Sequence, residues 1–119
     1  MIKIFHILLV FAILQPAFAA KHKIIAYPVP FNHKKGDLTI SEEKNFYYTD
    51  KTCSIKIDIY DISGGIVYSK KYSVFPIKWN GSDNSGKKSP PGLYIIKVKI
   101  EILQSGDIDE QYIRILIKR

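Results

Sequence analysis

Ser54-Ile55-Lys56-Ile57-Asp58-Ile59-Tyr60-Asp61 decides the fold. Isoleucine falls on every second position and a polar or charged side chain or a tyrosine on the others, a period of two that opposes an apolar face to a wet one only in an extended strand. A helix would scatter the same isoleucines around its axis. Ser63-Gly64-Gly65 follows as a tight-turn signal, and Ile66-Val67-Tyr68 begins a returning run. A hairpin over residues 54–72 is predicted, with Gly64 and Gly65 at its turn.

The pattern repeats on both sides. Toward the C-terminus Tyr94, Ile96, Val98, Ile100 and Ile102 alternate with Lys97, Lys99 and Glu101, Gly106-Asp107 supplies a turn, and Ile113, Ile115 and Ile117 share one face of Tyr112–Lys118. Toward the N-terminus Leu38-Thr39-Ile40 and Phe46-Tyr47-Tyr48 read as shorter strands. Ile24–Tyr27 reads as an edge strand, because Pro28 and Pro30 close it and proline removes a ladder donor. No helical period follows residue 20. About seven short strands separated by Gly, Pro, Asn, Asp and Ser predict an all-β protein, an antiparallel β-sandwich. Its expected core is Ile55, Ile57, Ile59, Trp79, Tyr94, Ile96, Val98, Ile113, Ile115 and Ile117. Trp79 is the only tryptophan and stands between Ile77 and a turn, the place for a ring that fills the space between two sheets. Gly81 and Gly86 bracket the loop after it, and Pro90-Pro91-Gly92 sets the entry of the long strand that follows. Residues 20–36 are expected to be an N-terminal extension with the edge strand, the least structured part, and residues 37–119 the sandwich.

Residues 1–19 have the layout of a secretory signal peptide. Lys3 is the only formal charge in Met1–His6, Ile7–Leu14 is an unbroken apolar run, and Gln15-Pro16 leads to Ala17-Phe18-Ala19. Small side chains at Ala17 and Ala19 suit a signal peptidase, which would leave Ala20 first. The run is shorter than the roughly 20 residues of a membrane span. Cleavage leaves roughly 100 residues, one domain able to bury a core of its own. No later segment is apolar for long enough to cross a bilayer, so no transmembrane span is expected after signal removal.

The chain holds 18 Lys+Arg against 11 Asp+Glu, a net charge of +7. The lysines are scattered, which suits solubility, and an export signal argues against nucleic acid as the partner. Cys53 is the only cysteine, so no internal disulfide can form, and His22 and His33 show no pairing with it that would activate a thiolate. It reads as buried and inert.

Catalytic and metal chemistry finds no footing. Asn80–Gly86 repeats side-chain oxygens at short intervals, yet it carries one carboxylate and lacks the bidentate Glu of a calcium loop, so it reads as a turn. Asn80-Gly81-Ser82 is a glycosylation sequon, relevant only in a host that glycosylates asparagine. Ser63 has no G-x-S-x-G frame and no nearby histidine, and Asp107, Asp109 and Glu110 fall in a polar turn where they are expected to be solvated. No cofactor, metal or enzymatic activity is expected. Tyr47, Tyr48, Tyr60, Tyr68 and Tyr72 could line an aromatic surface on adjacent strands, the basis of an alternative reading as a carbohydrate- or surface-binding module.

Five stretches go beyond composition: Tyr27-Pro28-Val29-Pro30-Phe31-Asn32; Ile57-Asp58-Ile59-Tyr60-Asp61-Ile62-Ser63-Gly64-Gly65; Trp79-Asn80-Gly81-Ser82-Asp83-Asn84-Ser85-Gly86; Pro91-Gly92-Leu93-Tyr94; and Ile113-Arg114-Ile115-Leu116-Ile117-Lys118. In this order they resemble the immunoglobulin-like domain of flagellar hook-capping proteins and the similar C-terminal sorting domains of type IX secretion substrates. That family opens on Y-P-N-P-F-N, continues through an I-Y-D-x-x-G-R hairpin, a W-D-G-x-D-x-x-G loop and a P-x-G-x-Y strand start, and ends on an apolar strand with Lys. Val29 stands here in place of Asn, Gly65 of Arg and Asn80 of Asp. The resemblance implies an immunoglobulin-like sandwich in a bacterial envelope, periplasmic, surface-bound or secreted. It also implies a non-enzymatic module whose partners are proteins of envelope, flagellar or secretion assemblies, and a terminal Ile117-Lys118-Arg119 read by secretion machinery. It fixes no oligomeric state. Sorting domains usually follow a cargo, whereas here the signal segment leads directly into the domain.

Overall fold

Strands form where β-branched residues alternate with polar ones, and seven of them pack as two antiparallel sheets. The computed structural model describes residues 22–44 and 47–119. The expected signal segment with Ala17, Ala19 and Ala20, and Phe46 of the short aromatic strand, lie outside the described residues. The strands are β1 (Ile24–Tyr27), β2 (Leu38–Glu42), β3 (Cys53–Asp61), β4 (Ile66–Tyr72), β5 (Ile77–Trp79), β6 (Gly92–Ile102) and β7 (Ile108–Ile117). One sheet has the order β1-β2-β5 and the other β4-β3-β6-β7. This is an immunoglobulin-like sandwich. The described residues contain no α-helix, only a 3₁₀ turn at His33–Lys35, and no helix among them is long and apolar enough to cross a membrane.

The register places like with like. Ile55, Ile57 and Ile59 of β3 face Ile100, Val98 and Ile96 of β6, and Ile96 and Tyr94 in turn face Ile113 and Ile115 of β7. A slip of one residue would turn every one of these side chains to water, so the buried face fixes the pairing. Of the expected core residues all are buried except Ile113, which is half-buried and packs against the cluster. The opposing sheet contributes Ile24, Leu38, Ile40, Ile77 and Trp79, with Leu38 opposite Trp79 and Ile40 opposite Ile77. The Trp79 ring lies 5.8 Å from Phe31 and 5.9 Å from Tyr68, and its Nε1 donates to Ser82 O at 2.9 Å. Tyr94 donates its hydroxyl to Pro90 O at 2.6 Å, pinning the loop before β6 to the strand it feeds. Cys53 is buried, and burial pushes its thiol up.

Three expectations change. Tyr47 and Tyr48 lie in a turn, and β5 takes the place of the expected aromatic strand. The cause is Glu42, itself buried, whose carboxylate accepts from Tyr48 N at 2.8 Å and from Thr49 N at 3.0 Å. A side chain that satisfies backbone donors removes the need for a strand partner. The segment expected to be an extension with the edge strand holds that strand at the edge of the three-stranded sheet, and it is tied more closely into the sandwich than expected. β1 pairs with β2, and Phe31 is fully buried beside Trp79. Asp109, expected in water, accepts the hydroxyl of buried Tyr48. Burial, with the Asp109 hydrogen bond and charge adding to it, holds that phenol far above its ordinary value.

The outer edges are blunted rather than left open. On the β4 edge Asn84 imitates a strand, with its N–H donating to Val67 O at 3.1 Å and its side chain exchanging two bonds with the Ser69 backbone. On the β7 edge Gln111 accepts from Ile24 N at 2.9 Å and donates to His22 O at 2.8 Å.

Candidate functional site

The last strand ends in a clip. Phe31 N donates to Leu116 O at 2.7 Å and Lys118 N donates to Phe31 O at 2.9 Å, a parallel bridge that continues β7 past its last antiparallel pair. The Phe31 ring is buried, so the clip is anchored in the core and Lys118 and Arg119 leave it at a fixed place. Gly81 closes over this anchor with φ +87°. A Cβ there would meet the Phe31 ring at 3.3 Å and His33 Cβ at 3.2 Å, so both backbone conformation and space call for glycine.

Cations converge around the clip. Asn32 Oδ1 accepts from Lys34 N at 2.9 Å and starts the short turn that carries His33, Lys34 and Lys35. Lys88 reaches back to donate to Asn80 O at 2.8 Å. Arg119 lies between two shallow grooves, one bordered by Pro28, Lys35 and Asp37, the other by His33, Lys34, Lys88 and Pro91. Asp37 is the only carboxylate side chain on either border, so this end of the sandwich is strongly positive. Ser89 lies in the second groove at 5 % exposure, with an Oγ that finds no protein partner. Such an end can hold a carboxylate or other anion by charge and hydrogen bonds, and it can present two basic side chains in a set geometry.

The remaining sequence-predicted residues separate. Tyr47 stacks on His22 at 3.6 Å with Lys51 Nζ 3.9 Å above its ring, whereas Tyr48 is 3 % exposed. Tyr68 and Tyr72 turn inward on β4 and share a hydrogen bond of 2.7 Å, leaving only Tyr60 facing outward on β3. The five tyrosines therefore do not make one aromatic surface, and the strip required by the carbohydrate reading is not assembled. Gly64, Gly81, Gly86 and Gly92 take positive φ, while Gly65 does not and sits with its Cβ direction 3.4 Å from Asp61 Oδ2. The Ser63 hydroxyl donates to Asp61 Oδ1 at 2.6 Å. Asp61 and Asp83 each accept three bonds within their own turns, and the serine hydroxyls Ser63 and Ser85 lead in holding the two carboxyls below the usual range. Among the described residues no three His, Cys, Asp or Glu side chains are grouped to hold a metal.

Sequence reasoning missed a second surface. Ile62, Leu93, Ile95 and Tyr112 are exposed together on the outside of the four-stranded sheet. Its signal is the run Leu93-Tyr94-Ile95-Ile96, apolar on both faces of a strand that otherwise alternates.

Residues 25–106 match the family model of the secretion system C-terminal sorting domain. The match covers more than half of the chain and ends before β7 begins. Among solved structures the chain is similar to part of PorZ, described as an essential bacterial surface component of the type-IX secretion system of human oral-microbiomic Porphyromonas gingivalis. That match has a TM-score of 0.54 at 23% identity, over 81% of this chain and 11% of PorZ. It is also similar to part of dimeric latent PorU from Porphyromonas gingivalis, with a TM-score of 0.58 at 17% identity, over 80% of this chain and 9% of that one. At these identities the likeness is one of fold, and the chain spans only about a tenth of either protein's length. No curated protein matches the chain. These findings bear on the sorting-domain half of the expected resemblance and leave the flagellar hook-capping half without support.

Proposed function

This chain belongs to the secretion system C-terminal sorting domain family, and from that premise we propose that it is an exported, non-enzymatic module recognised by proteins of a type IX secretion or envelope assembly. The single observation that carries the reading is the clip. A buried phenylalanine fixes the end of β7, so that Lys118 and Arg119 emerge at one place among Lys34, Lys35 and Lys88. Recognition by another protein gains from such preorganisation, because a side chain already held in place loses less entropy on binding. The partner surface is acidic, complementary to this end.

Export follows from the leader-like residues 1–19, and the compartment is the periplasm, the cell surface or the medium. To test the reading, a folded reporter is placed behind a signal peptide and in front of residues 20–119, in a bacterium with a type IX apparatus. The reporter is expected at the cell surface or in the medium with the domain and in the periplasm without it. Periplasmic reporter in both cases overturns the sorting role.

A further inference from the structure

The outer face of the four-stranded sheet changes character along its length. On β6 the outward positions are Leu93 and Ile95, then Lys97, Lys99 and Glu101. Their cross-strand neighbours extend the division. Leu116 faces Leu93, Tyr60 and Arg114 flank Ile95, and Tyr112 flanks Lys97. Leu93 is 45 % exposed, Ile95 44 % and Ile62, just beyond β3, 84 %. These side chains line an open groove of about 580 Å³ whose rim carries Lys97 and Arg114. Soluble domains rarely leave contiguous apolar surface in water unless something covers it.

Charge decides what covers it. The cations of this face are Lys56, Lys71, Lys97, Lys99 and Arg114. Of its carboxylates, Asp58 is buried, bonded to Ser69 Oγ and 3.9 Å from Lys56 Nζ, Glu110 lies 3.6 Å from Lys97, and Glu101 stands at the charged end of β6 away from Leu93. Asp61 also borders the groove, but its Oδ1 is occupied by three donors of the β3–β4 turn. Arg114 makes no ion pair among the described residues. A second copy laid apolar half on apolar half would offer Arg114 only a carboxylate already beside Lys97 and one engaged in its own turn, which does not favour self-association. A guanidinium beside an apolar floor suits a carboxylate that arrives with apolar neighbours, since the pair gains strength as water is displaced.

We propose that this groove docks a segment of a partner protein in which apolar side chains alternate with carboxylates, the apolar groups on Leu93 and Ile95 and a carboxylate on Arg114. The groove shares no lining residue with the two grooves at the Lys118–Arg119 end, so the proposal stands whether or not that end directs export.

The test is fluorescence anisotropy of the purified chain with three short labelled peptides, alternating Leu with Glu, Leu with Lys, and Ser with Glu. The Leu/Glu peptide is expected to bind saturably, at least about tenfold more tightly than either of the others. Ile95→Ser and Leu93→Ser are each expected to weaken it about tenfold, and Arg114→Gln several-fold with a smaller salt dependence, all with the domain still melting in one cooperative transition well above the assay temperature. Equal binding of the Leu/Lys peptide, or binding indifferent to Ile95→Ser, overturns the proposal. So does sedimentation showing a dimer that Ile95→Ser dissolves, which assigns the face to a second copy. Binding to phosphatidylglycerol vesicles that Ile95→Ser abolishes, with no peptide binding, assigns it to a membrane and overturns the proposal equally.

Discussion

The two faces of the four-stranded sheet are built from the same strands and obey different rules. Inward, β3 from Cys53 to Ile59 presents only cysteine and isoleucine, each opposite an apolar residue of β6, and only at the end of the ladder does Tyr94 meet Asp61. Outward, β6 is apolar for its first turn of alternation and charged thereafter. The inner face is a solution to burial, and any shape-compatible apolar set of the same volume would serve it. The outer apolar half has nothing in the domain to bury it. The difference teaches that alternation locates the core, while departures from alternation mark surfaces the fold does not need.

Trp79→Ala, on the opposing sheet, tests the packing against the inner face with the largest effect. Removing a buried ring between Phe31 and Tyr68 is expected to cost about 3–5 kcal/mol, measurable as a collapse of the urea midpoint. Ile95→Ser, on the outer face of the four-stranded sheet, is expected to change stability by no more than about 1 kcal/mol. Similar costs for the two would erase the distinction between the faces.

Tyr48 sharpens the comparison at the point where core meets loop. Its phenol keeps its proton in the fold well beyond the ordinary tyrosine value, because it is buried and donates to Asp109. The unfolded chain releases that proton near pH 10. The resulting stability is complete below about pH 10 and is lost as pH rises above it. The melting temperature is expected to fall above that pH, and Tyr48→Phe to flatten the fall. A slope unchanged by the substitution would place the phenol in water.

Much of the fold was legible because it depends on period and turn chemistry. The hairpin of β3 and β4, the long β6, the final β7 and the inward Trp79 all follow from side chains whose spacing alone fixes the face they occupy. What escaped depends on contacts that no local pattern announces. Glu42 turns the Tyr47–Tyr48 segment into a capped loop, and nothing near those tyrosines announces a buried carboxylate several residues earlier. Phe31 was legible as part of a motif, yet its bond to the end of β7 joins residues 85 positions apart or more and leaves no local trace. The tyrosines were read by frequency, and frequency does not say which way a side chain points. Leu93 and Ile95 were visible as a break in alternation, but only the register with Leu116, Arg114 and Tyr60 shows that they form one surface.

The account rests most heavily on the claim that the clipped end is a recognition element and not a structural one. Lys118→Ala/Arg119→Ala removes the two basic side chains and leaves the Phe31 bridge, which uses backbone groups alone. The decisive measurement is the fraction of reporter outside the cell for this variant, alongside its melting temperature. The account predicts an unchanged melting temperature and a reporter held in the periplasm. Export at the level of the unaltered domain would contradict it.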